Sequence, residues 1–295
     1  MTTISKAAVW SSWQLLSGDW HPSLDVLAET LDGGQSFRWR LKDDIWTGAW
    51  AGCVAQLRLH DNSLQWRAPK SLESVVAAAL PRYLALDRDW TMLTDSLPWR
   101  SDAHLARCLA AFPGLRILRQ PFGETLLGFL CSATKQIVQI KQMLALLAEK
   151  HGAEIGPGHY RLPAWAELAG TPEKELRTCR LGFRAKYIRG TAKFIAARPG
   201  WLEETESLPY PAAKARLLEL PGVGEKIADC VLLFGAGRLE AFPVDTWVLK
   251  SLARRYGLTG WKPAPVAHFG RTHFGPLAGL AQQYLFAWER KHGGR

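Results

Sequence analysis

A lysine and an aspartate in the second half of the chain have the types and the spacing for nucleophilic chemistry. Lys226 follows the turn 221–224 in the stretch LLELPGVGEKIADCVLLFG, and Asp245 lies 19 residues further on, after Pro243 and Val244. That spacing is enough for one helix, a loop and a return of the chain. An amine nucleophile and a buried carboxylate could therefore face the same cleft.

Each of these two residues also has an ordinary interpretation. Most lysines at helix starts are solvated charges, and an aspartate at a helix start is most often an N-cap. For Lys226, the positive end of the helix dipole and partial desolvation disfavour the ammonium form, and nucleophilic catalysis requires the neutral amine. For Asp245, capping and chemistry are compatible, because a cap fixes one carboxylate oxygen and leaves the second free.

The turn between the two helical segments predicted at 216–220 and 225–234 could bind an anion. Pro221 ends the first helix, and Gly222 and Gly224 leave the amide groups around Val223 and the next helix start uncovered. Free N–H groups and the positive end of the helix dipole together attract phosphate. The alternative is a tight corner between helices with no ligand. The stretch LGFRAKYIRG is a second, weaker place where glycine precedes a basic helix.

The charge of the chain points to a polyanionic partner. Residues 1–100 hold 10 Lys and Arg against 11 Asp and Glu, so residues 101–295 hold 27 against 16, a net charge of +11. A basic region beside a neutral one suggests nucleic acid, although a basic surface alone is common. Five scattered cysteines form no zinc, disulfide or iron–sulfur pattern and indicate a reducing compartment.

The predicted secondary structure that must position these residues changes from strands to helices near residue 100. SFRWRL, IWTGAWAGCVAQLRLH and SLQWRA alternate with period two and predict strands, with a turn at His60–Ser63. SLESVVAAALPRYLAL predicts a helix with Ser71 as a possible N-cap. From residue 101 the period is close to 3.6, which predicts short helices. We therefore expect an α+β chain: an antiparallel β domain with helices at 1–100, then an all-α region at 101–295 with a helix–hairpin–helix at 216–235.

No long apolar run or secretory signal is visible. No stretch reaches the roughly 18 apolar residues of a membrane span. The start MTTISKAAVWSSW has no extended apolar region followed by a cleavage-like site. These features predict an intracellular protein without a membrane anchor.

The run L-P-G-V-G-x-K-x-A-D-C followed by P-V-D resembles the helix–hairpin–helix, Gly/Pro, Asp superfamily of DNA glycosylases. Within it, the chain is most similar to the 8-oxoguanine DNA glycosylases. GGQSFRW, CSATKQI, LGFRAKYI and GPLAGLAQQYLF resemble segments of that family in the same order, so the similarity covers nearly the whole chain. The resemblance implies an N-terminal domain like half of the TATA-binding protein, followed by helical parts.

The resemblance also implies roles for residues in base removal. Lys226 would attack C1′ of the damaged nucleotide and form a Schiff base, and Asp245 would stabilise positive charge on the sugar. β-Elimination would then give lyase activity. The base pocket implied by the family comprises Gly34, whose carbonyl accepts the N7 hydrogen of 8-oxoguanine, together with Cys230, Phe286 and Gln282. Cys230 and Phe286 could instead be core residues, and Gln282 could be solvated.

Further family roles concern DNA binding. Phe183 matches an aromatic wedge and Arg184 a contact to the orphaned base. The hairpin residues Gly222, Val223 and Gly224 match the backbone clamp. The carbonyls of Leu218, Leu220 and Val223 match a loosely held cation that is not essential. The implied partner is duplex DNA containing 8-oxoguanine. The resemblance implies a monomer that needs no cofactor, has no iron–sulfur cluster and makes no contact with a membrane. Its implied location is the cytoplasm and nucleoid of a bacterium or the nucleus of a eukaryote.

The sequence departs from the family at three places. Thr134, Lys135 and Gln136 replace the usual asparagines, and Gln139 stands where an arginine reads the opposite cytosine. Trp247 stands where a histidine is common. These changes bear on opposite-base specificity. Two alternatives remain: a monofunctional alkyl-base glycosylase, which needs no lysine at 226, and a non-catalytic DNA-binding protein, which needs only the hairpin.

Overall fold

The computed structural model describes residues 9–293. Residues 1–8, which belong to the start in which no secretory signal is visible, lie outside it. Within the described part, no helix is long and apolar enough to cross a membrane. The strands are β1 (Gln14–Leu15), β2 (Trp39–Lys42), β3 (Ile45–Trp50), β4 (Cys53–His60), β5 (Ser63–Arg67), β6 (Glu154–Gly156) and β7 (His159–Tyr160).

Fifteen α-helices account for most of the rest of the described chain. They are α1 (Leu24–Asp32), α2 (Glu73–Tyr83), α3 (Trp90–Asp95), α4 (Ala103–Ala111), α5 (Phe122–Ser132), α6 (Ile137–His151), α7 (Trp165–Gly170), α8 (Glu173–Leu176), α9 (Arg184–Ala196), α10 (Trp201–Ser207), α11 (Tyr210–Leu218), α12 (Glu225–Phe234), α13 (Thr246–Arg255), α14 (Pro263–Phe274) and α15 (Ala278–His292).

The predicted fold class is confirmed. Five antiparallel strands form one sheet in the order β1-β5-β4-β3-β2, and the helices that follow form the larger part of the molecule. The turn predicted at His60–Ser63 is also confirmed. Its central residues Asp61 and Asn62 both have positive φ, as a tight two-residue hairpin turn requires. The division at residue 100 stays a prediction.

Tryptophan packing explains why the sheet has its register. Trp39 lies opposite Gly48 on the neighbouring strand, and a Cβ at Gly48 would come within 2.3 Å of the indole ring. Trp39 Nε1 donates to Tyr83 Oη at 3.0 Å, and the rings of Trp50 and Tyr83 lie 4.5 Å apart. These contacts join the sheet to helix α2. The polar atoms of Trp39 and Tyr83 are buried, and each has a hydrogen-bond partner.

Several sequence predictions are wrong in detail. The stretch IWTGAWAGCVAQLRLH forms two antiparallel strands, β3 and β4, rather than one, because the chain turns at Ala51, whose φ is +46°, and Gly52. Ser71 is not an N-cap, because it lies inside a 3-10 turn closed by the bond from Leu72 N to the carbonyl of Pro69, and α2 begins two residues later. Strand β2 begins at Trp39 rather than at residue 36, because Phe37 packs into the helical core, where its ring lies 5.3 Å from that of Phe129. The helix predicted through PEKELRTCR ends at Leu176, and Arg180 has a φ of +62° that a helix cannot contain.

The hairpin is formed by helices α11 and α12. Helix α12 has the predicted bounds, whereas α11 ends at Leu218, two residues earlier than expected. Gly222 has a φ of +82°, and a Cβ there would lie 2.7 Å from Tyr187 on α9. The glycine is therefore required both by the backbone and by the close approach of α9. Gly224 is the N-cap of α12, and a Cβ there would meet no atom within 4 Å.

Candidate active site

Lys226 lies in the first turn of α12, at the start of the second hairpin helix. Its Nζ is 3.3 Å from Ser132 Oγ at the end of α5 and 5.0 Å from the centre of the Phe129 ring. The side chain is half-buried. The terminal nitrogen of Lys226 is therefore held over an aromatic face in a half-buried position.

Asp245 is the N-cap of helix α13, as the sequence predicts. Its Oδ1 accepts from the backbone N–H of Trp247 at 3.0 Å and of Val248 at 2.9 Å. Burial raises the pKa of this carboxyl above its ordinary value, although the Val248 amide and the charge of Lys226 act in the opposite direction. These two bonds hold Oδ1 at the helix start, and within residues 9–293 no side-chain hydrogen bond involves Oδ2.

Every residue that the resemblance assigns to catalysis or to base binding lines one pocket. The pocket contains about 310 Å³ of space, part of it open to solvent. Its lining includes the predicted Lys226, Asp245, Gly34, Cys230, Gln282 and Phe286. Residues that the sequence reasoning missed are Phe129, Phe234, Pro243 and Gln283. Phe234 lies one helical turn after Cys230, Gln283 follows Gln282, and Pro243 lies two residues before Asp245, whereas no sequence signal points to Phe129.

Gly34 forms part of the wall opposite α15. Its φ is +105°, and a Cβ there would lie 3.5 Å from Cζ of Phe286 and 3.2 Å from Ile137. The adjacent Gln35 is buried, and its side chain donates to the Arg116 carbonyl at 3.0 Å and accepts from Leu118 N–H at 2.8 Å. These two bonds fix the peptide that follows Gly34 against the core.

The other pocket residues come from helices α12 and α15. Cys230 is buried one turn after Lys226, and burial raises the pKa of its thiol to about 12, against the opposing charge of Lys226. The thiol is therefore neutral near pH 7 and behaves as an apolar wall. Gln282 and Phe286 are both buried and lie one helical turn apart on the same face of α15.

Residues predicted to contact DNA around the lesion form a second group. Phe183 is 52% exposed, and the guanidinium carbon of Arg184 lies 4.4 Å from the centre of its ring. Arg184 itself is only 3% exposed, and it donates to Thr134 Oγ1 at 3.0 Å, to the Leu181 carbonyl at 3.2 Å and to the Ala133 carbonyl. The structure thus brings Phe183, Arg184 and Thr134 together, while the donors of Arg184 bind protein acceptors.

Gln139 lies in the first turn of α6 and is exposed. Its Oε1 accepts from the backbone N–H of Gln136 at 3.2 Å, which satisfies an otherwise free donor at the helix start. Trp247, at the family's histidine position, is 38% exposed beside Asp245. Neither departure from the family pattern disturbs the local fold.

The carbonyls predicted to hold a cation lie in the hairpin. The Leu220 carbonyl accepts from Val223 N–H at 3.1 Å, and Val223 is buried while Leu218 is partly exposed. Among residues 9–293, no group of three or more His, Cys, Asp or Glu side chains could hold a metal ion. The hairpin itself is stabilised by a buried ion pair, in which Lys214 Nζ lies 2.9 Å from Asp229 Oδ1.

The fold and the pocket define a helix–hairpin–helix base excision repair protein. The model described as "HhH-GPD superfamily base excision DNA repair protein" matches residues 127–269, and that of the 8-oxoguanine DNA glycosylase N-terminal domain matches residues 24–126. The chain is 33% identical over 288 residues to the N-glycosylase/DNA lyase OGG1 of Arabidopsis thaliana, covering 90% of this chain and 77% of the relative. The chain therefore belongs to the 8-oxoguanine DNA glycosylase family, as the resemblance predicts.

Solved structures agree with this assignment. The 8-oxoguanine glycosylase/lyase of Clostridium acetobutylicum, in complex with duplex DNA containing cytosine opposite 8-oxoguanine, superposes with a TM-score of 0.83 at 31% identity, covering 90% of this chain and 92% of the other. The 3-methyladenine DNA glycosylase of Archaeoglobus fulgidus gives a TM-score of 0.73 at 18% identity, covering 95% and 99% of the two chains. This second likeness is one of fold alone.

Proposed function

We propose that this chain is a bifunctional DNA N-glycosylase and lyase that removes 8-oxoguanine from duplex DNA. The observation that carries the proposal is the single pocket lined by Lys226, Asp245 and Gly34. A monofunctional glycosylase needs no amine there, and a DNA-binding module needs no pocket. Membership of the 8-oxoguanine glycosylase family supports the same substrate.

The proposed reaction begins when the damaged nucleotide leaves the duplex and enters the pocket. Lys226 Nζ attacks C1′, the bond from C1′ to the base breaks, and the electron pair leaves with the base. Asp245 lies in the same pocket with its Oδ2 free, so its negative charge stabilises the positive charge that develops on the sugar. The bond from C1′ to the ring oxygen O4′ then breaks, O4′ takes up a proton, and the nitrogen of Lys226 forms a double bond to C1′. This imine allows a proton to leave C2′ and the C3′–O bond to break, with its electron pair leaving on the 3′ phosphate, which is the lyase step.

Base recognition is proposed to depend on Gly34, Cys230, Phe286 and Gln282. The Gly34 carbonyl accepts the N7 hydrogen, which 8-oxoguanine has and guanine lacks, so guanine leaves a buried acceptor unpaired. Cys230 and Phe286 supply two apolar walls for the ring. Gln282 supplies a polar group for the edge of the base that pairs in the duplex.

DNA binding is proposed to use the hairpin and the exposed aromatic side chain of Phe183. Of the hairpin residues, Gly222 and Gly224 supply the N–H groups that face a backbone phosphate, because the Val223 N–H already donates to the Leu220 carbonyl. A Cβ at Gly224 would meet no atom within 4 Å, so a phosphate can approach the helix start there. Phe183 enters the base stack. The same proposal includes contacts of Arg184, Thr134 and Gln139 with the opposite base and a loosely bound cation at the hairpin carbonyls. It also includes a monomeric state and an intracellular location.

Release of the base from defined duplexes tests the proposal. One duplex carries 8-oxoguanine and a second carries 3-methyladenine at the same position. We expect release of 8-oxoguanine together with cleavage of the strand on its 3′ side, and no release from the second duplex. Release of 3-methyladenine without strand cleavage would favour the monofunctional alkyl-base glycosylase. Binding without any release would favour the non-catalytic DNA-binding protein.

A further inference from the structure

Two neighbouring glutamines on α15 both line the pocket, and only the first is accounted for by the proposed function. Gln282 is 3% exposed and Gln283 is 6% exposed. Gln283 Nε2 donates to Gln282 Oε1 at 3.1 Å. Buried amides of this kind are held where their hydrogen bonds are satisfied, so a pair that faces a pocket is a site for a polar ligand.

The bond between the two side chains decides which atoms remain for a ligand. It uses one lone pair of Gln282 Oε1 and one hydrogen of Gln283 Nε2. Within residues 9–293, Gln282 Nε2 and Gln283 Oε1 make no side-chain hydrogen bond, and neither is a fully enclosed unpaired atom. The pair therefore leaves two atoms without a side-chain partner, a donor on Gln282 and an acceptor on Gln283, at the two ends of the bonded pair.

This order of donor and acceptor matches one kind of purine. A guanine-type base presents the O6 acceptor beside the N1–H donor on its pairing edge, whereas an adenine-type base presents the N6 amino donor beside the N1 acceptor. The guanine edge satisfies both free atoms of the pair. The adenine edge sets donor against donor and acceptor against acceptor, and it leaves buried polar atoms unpaired.

We propose that Gln283 is a positioning and specificity-determining residue for the base: it fixes the amide of Gln282 and supplies a second contact that selects a guanine-type edge over an adenine-type edge. This inference rests on the proposed function, because it assumes that a damaged purine occupies the pocket. It adds a second, independent element of selectivity to Gly34, which distinguishes the oxidised ring from the normal ring at the other edge.

Single-turnover release from three duplexes tests the inference. The duplexes carry 8-oxoguanine, 8-oxoadenine or an abasic site, all opposite the same base, and the enzymes are the wild type, Gln283→Met, Gln282→Met and the double variant. Methionine keeps the length of the side chain and removes its amide. The abasic duplex puts no base in the pocket, so borohydride trapping on it reports folding and the Lys226 chemistry alone.

We expect Gln283→Met to slow release of 8-oxoguanine about tenfold or more, the effect of leaving one buried group unpaired. Release of 8-oxoadenine should not slow, and trapping on the abasic duplex should equal that of the wild type. Because Gln283 acts partly through Gln282, the double variant should lose less than the product of the two single losses.

Two results would overturn the inference alone. The first is an unchanged ratio of 8-oxoguanine to 8-oxoadenine release in Gln283→Met, and the second is an equal loss on all three duplexes, which would indicate a structural role. Faster release of 8-oxoadenine than of 8-oxoguanine by the wild type would show the reverse amide orientation and would also overturn it. A wild type that traps on the abasic duplex but releases no 8-oxoguanine overturns the proposed function, and this inference with it.

Discussion

Lys226 and Asp245 line the same pocket from the N-terminal ends of two successive helices, α12 and α13. The two groups form no salt bridge, although the charge of Lys226 favours the ionised form of Asp245. Burial nevertheless raises the pKa of the aspartate, so the folded protein holds its carboxylate in an unfavourable environment. A carboxylate held in this way is stabilised by positive charge that develops beside it, which is what loss of a base from a sugar produces.

The Asp245→Asn variant should separate folding from chemistry. An amide oxygen still accepts the two N–H bonds at the start of α13, so the cap survives. A carboxyl whose pKa is raised by folding destabilises the folded state when it is ionised, and the neutral amide removes that penalty. We expect the melting temperature to stay the same or rise, while single-turnover base release slows by about a hundredfold or more.

Asp245→Ala is the matched control for this prediction. It removes both the charge and the cap, and it should lower the free energy of unfolding by about 1 kcal/mol. Base release at the wild-type rate in Asp245→Asn, with a loss of stability and of activity only in Asp245→Ala, would mean that the residue is a structural cap only.

The rate of base release should fall at acid pH because of the same carboxyl. The ionised form of Asp245 is the one that stabilises the transition state, and its pKa lies above the ordinary aspartate value. Activity should therefore be lost as the pH falls through this raised pKa, at a higher pH than an exposed aspartate would cause. Single-turnover rates of wild type and Asp245→Asn, measured at a series of pH values where both stay folded, check this. An identical acid limb in both enzymes would assign the titration to another group.

Two glycines of the hairpin should respond differently to the same substitution. Gly222→Ala places a Cβ 2.7 Å from Tyr187 at a φ of +82°, and it should cost about 1–2 kcal/mol or more in stability. Gly224→Ala meets no atom within 4 Å and should cost roughly half a kcal/mol as a poorer N-cap, yet it covers the N–H groups of α12. Thermal unfolding and binding to an undamaged duplex measure the two effects.

A weaker affinity for DNA in Gly224→Ala, at nearly unchanged stability, would support phosphate binding at this helix start. Wild-type affinity in that variant would mean that the turn is only a corner between helices, the alternative that the sequence leaves open.

The meeting of Lys226 and Asp245 in one pocket could be predicted from sequence because each residue belongs to a local pattern. Asp245 is followed by a helix that it caps, and Lys226 follows a turn whose glycines are demanded by backbone geometry and by Tyr187. Gln283 could not be predicted in the same way. A polar residue on a largely apolar helix is equally compatible with a solvated position, and only the packing of α15 against the pocket shows that it is buried.

The errors in the fold prediction have similar causes. Ser71 has the residue type of an N-cap, but the bond from Lys70 N to the Val9 carbonyl holds the segment in a 3-10 turn, and this contact is made by a distant part of the chain. The burial of Arg184 depends on the Ala133 carbonyl in the turn after α5, which lies 51 residues earlier in the chain. Such long-range bonds leave no periodic signal in the sequence.

The opposite base should be read less strictly than in a relative with arginine at position 139. Glutamine is neutral, shorter than arginine, and offers both a donor and an acceptor, so it suits more than one base edge. We expect the best release opposite cytosine, with thymine, guanine and adenine tolerated. Gln139→Arg should sharpen the preference for cytosine by about ten- to a hundredfold, the worth of one good base contact. Single-turnover release from four duplexes that differ only opposite the lesion measures this.

Gln139→Lys is the control for this substitution. It adds the same charge and also removes the bond to Gln136 N–H, but it lacks the planar fork of donors. A gain in cytosine preference that is equal in both variants would assign the effect to charge. No gain in either variant would mean that position 139 does not read the opposite base.

Reductive trapping of the enzyme on an 8-oxoguanine duplex tests the central role of Lys226 most directly. Borohydride should convert the Schiff base into a stable link, and digestion and mass spectrometry of the adduct should place the modified sugar on Lys226. Lys226→Gln should form no adduct and release no base, while its affinity for the duplex stays near that of the wild type. Trapping at the wild-type level in Lys226→Gln, or a link on another residue, would contradict the account.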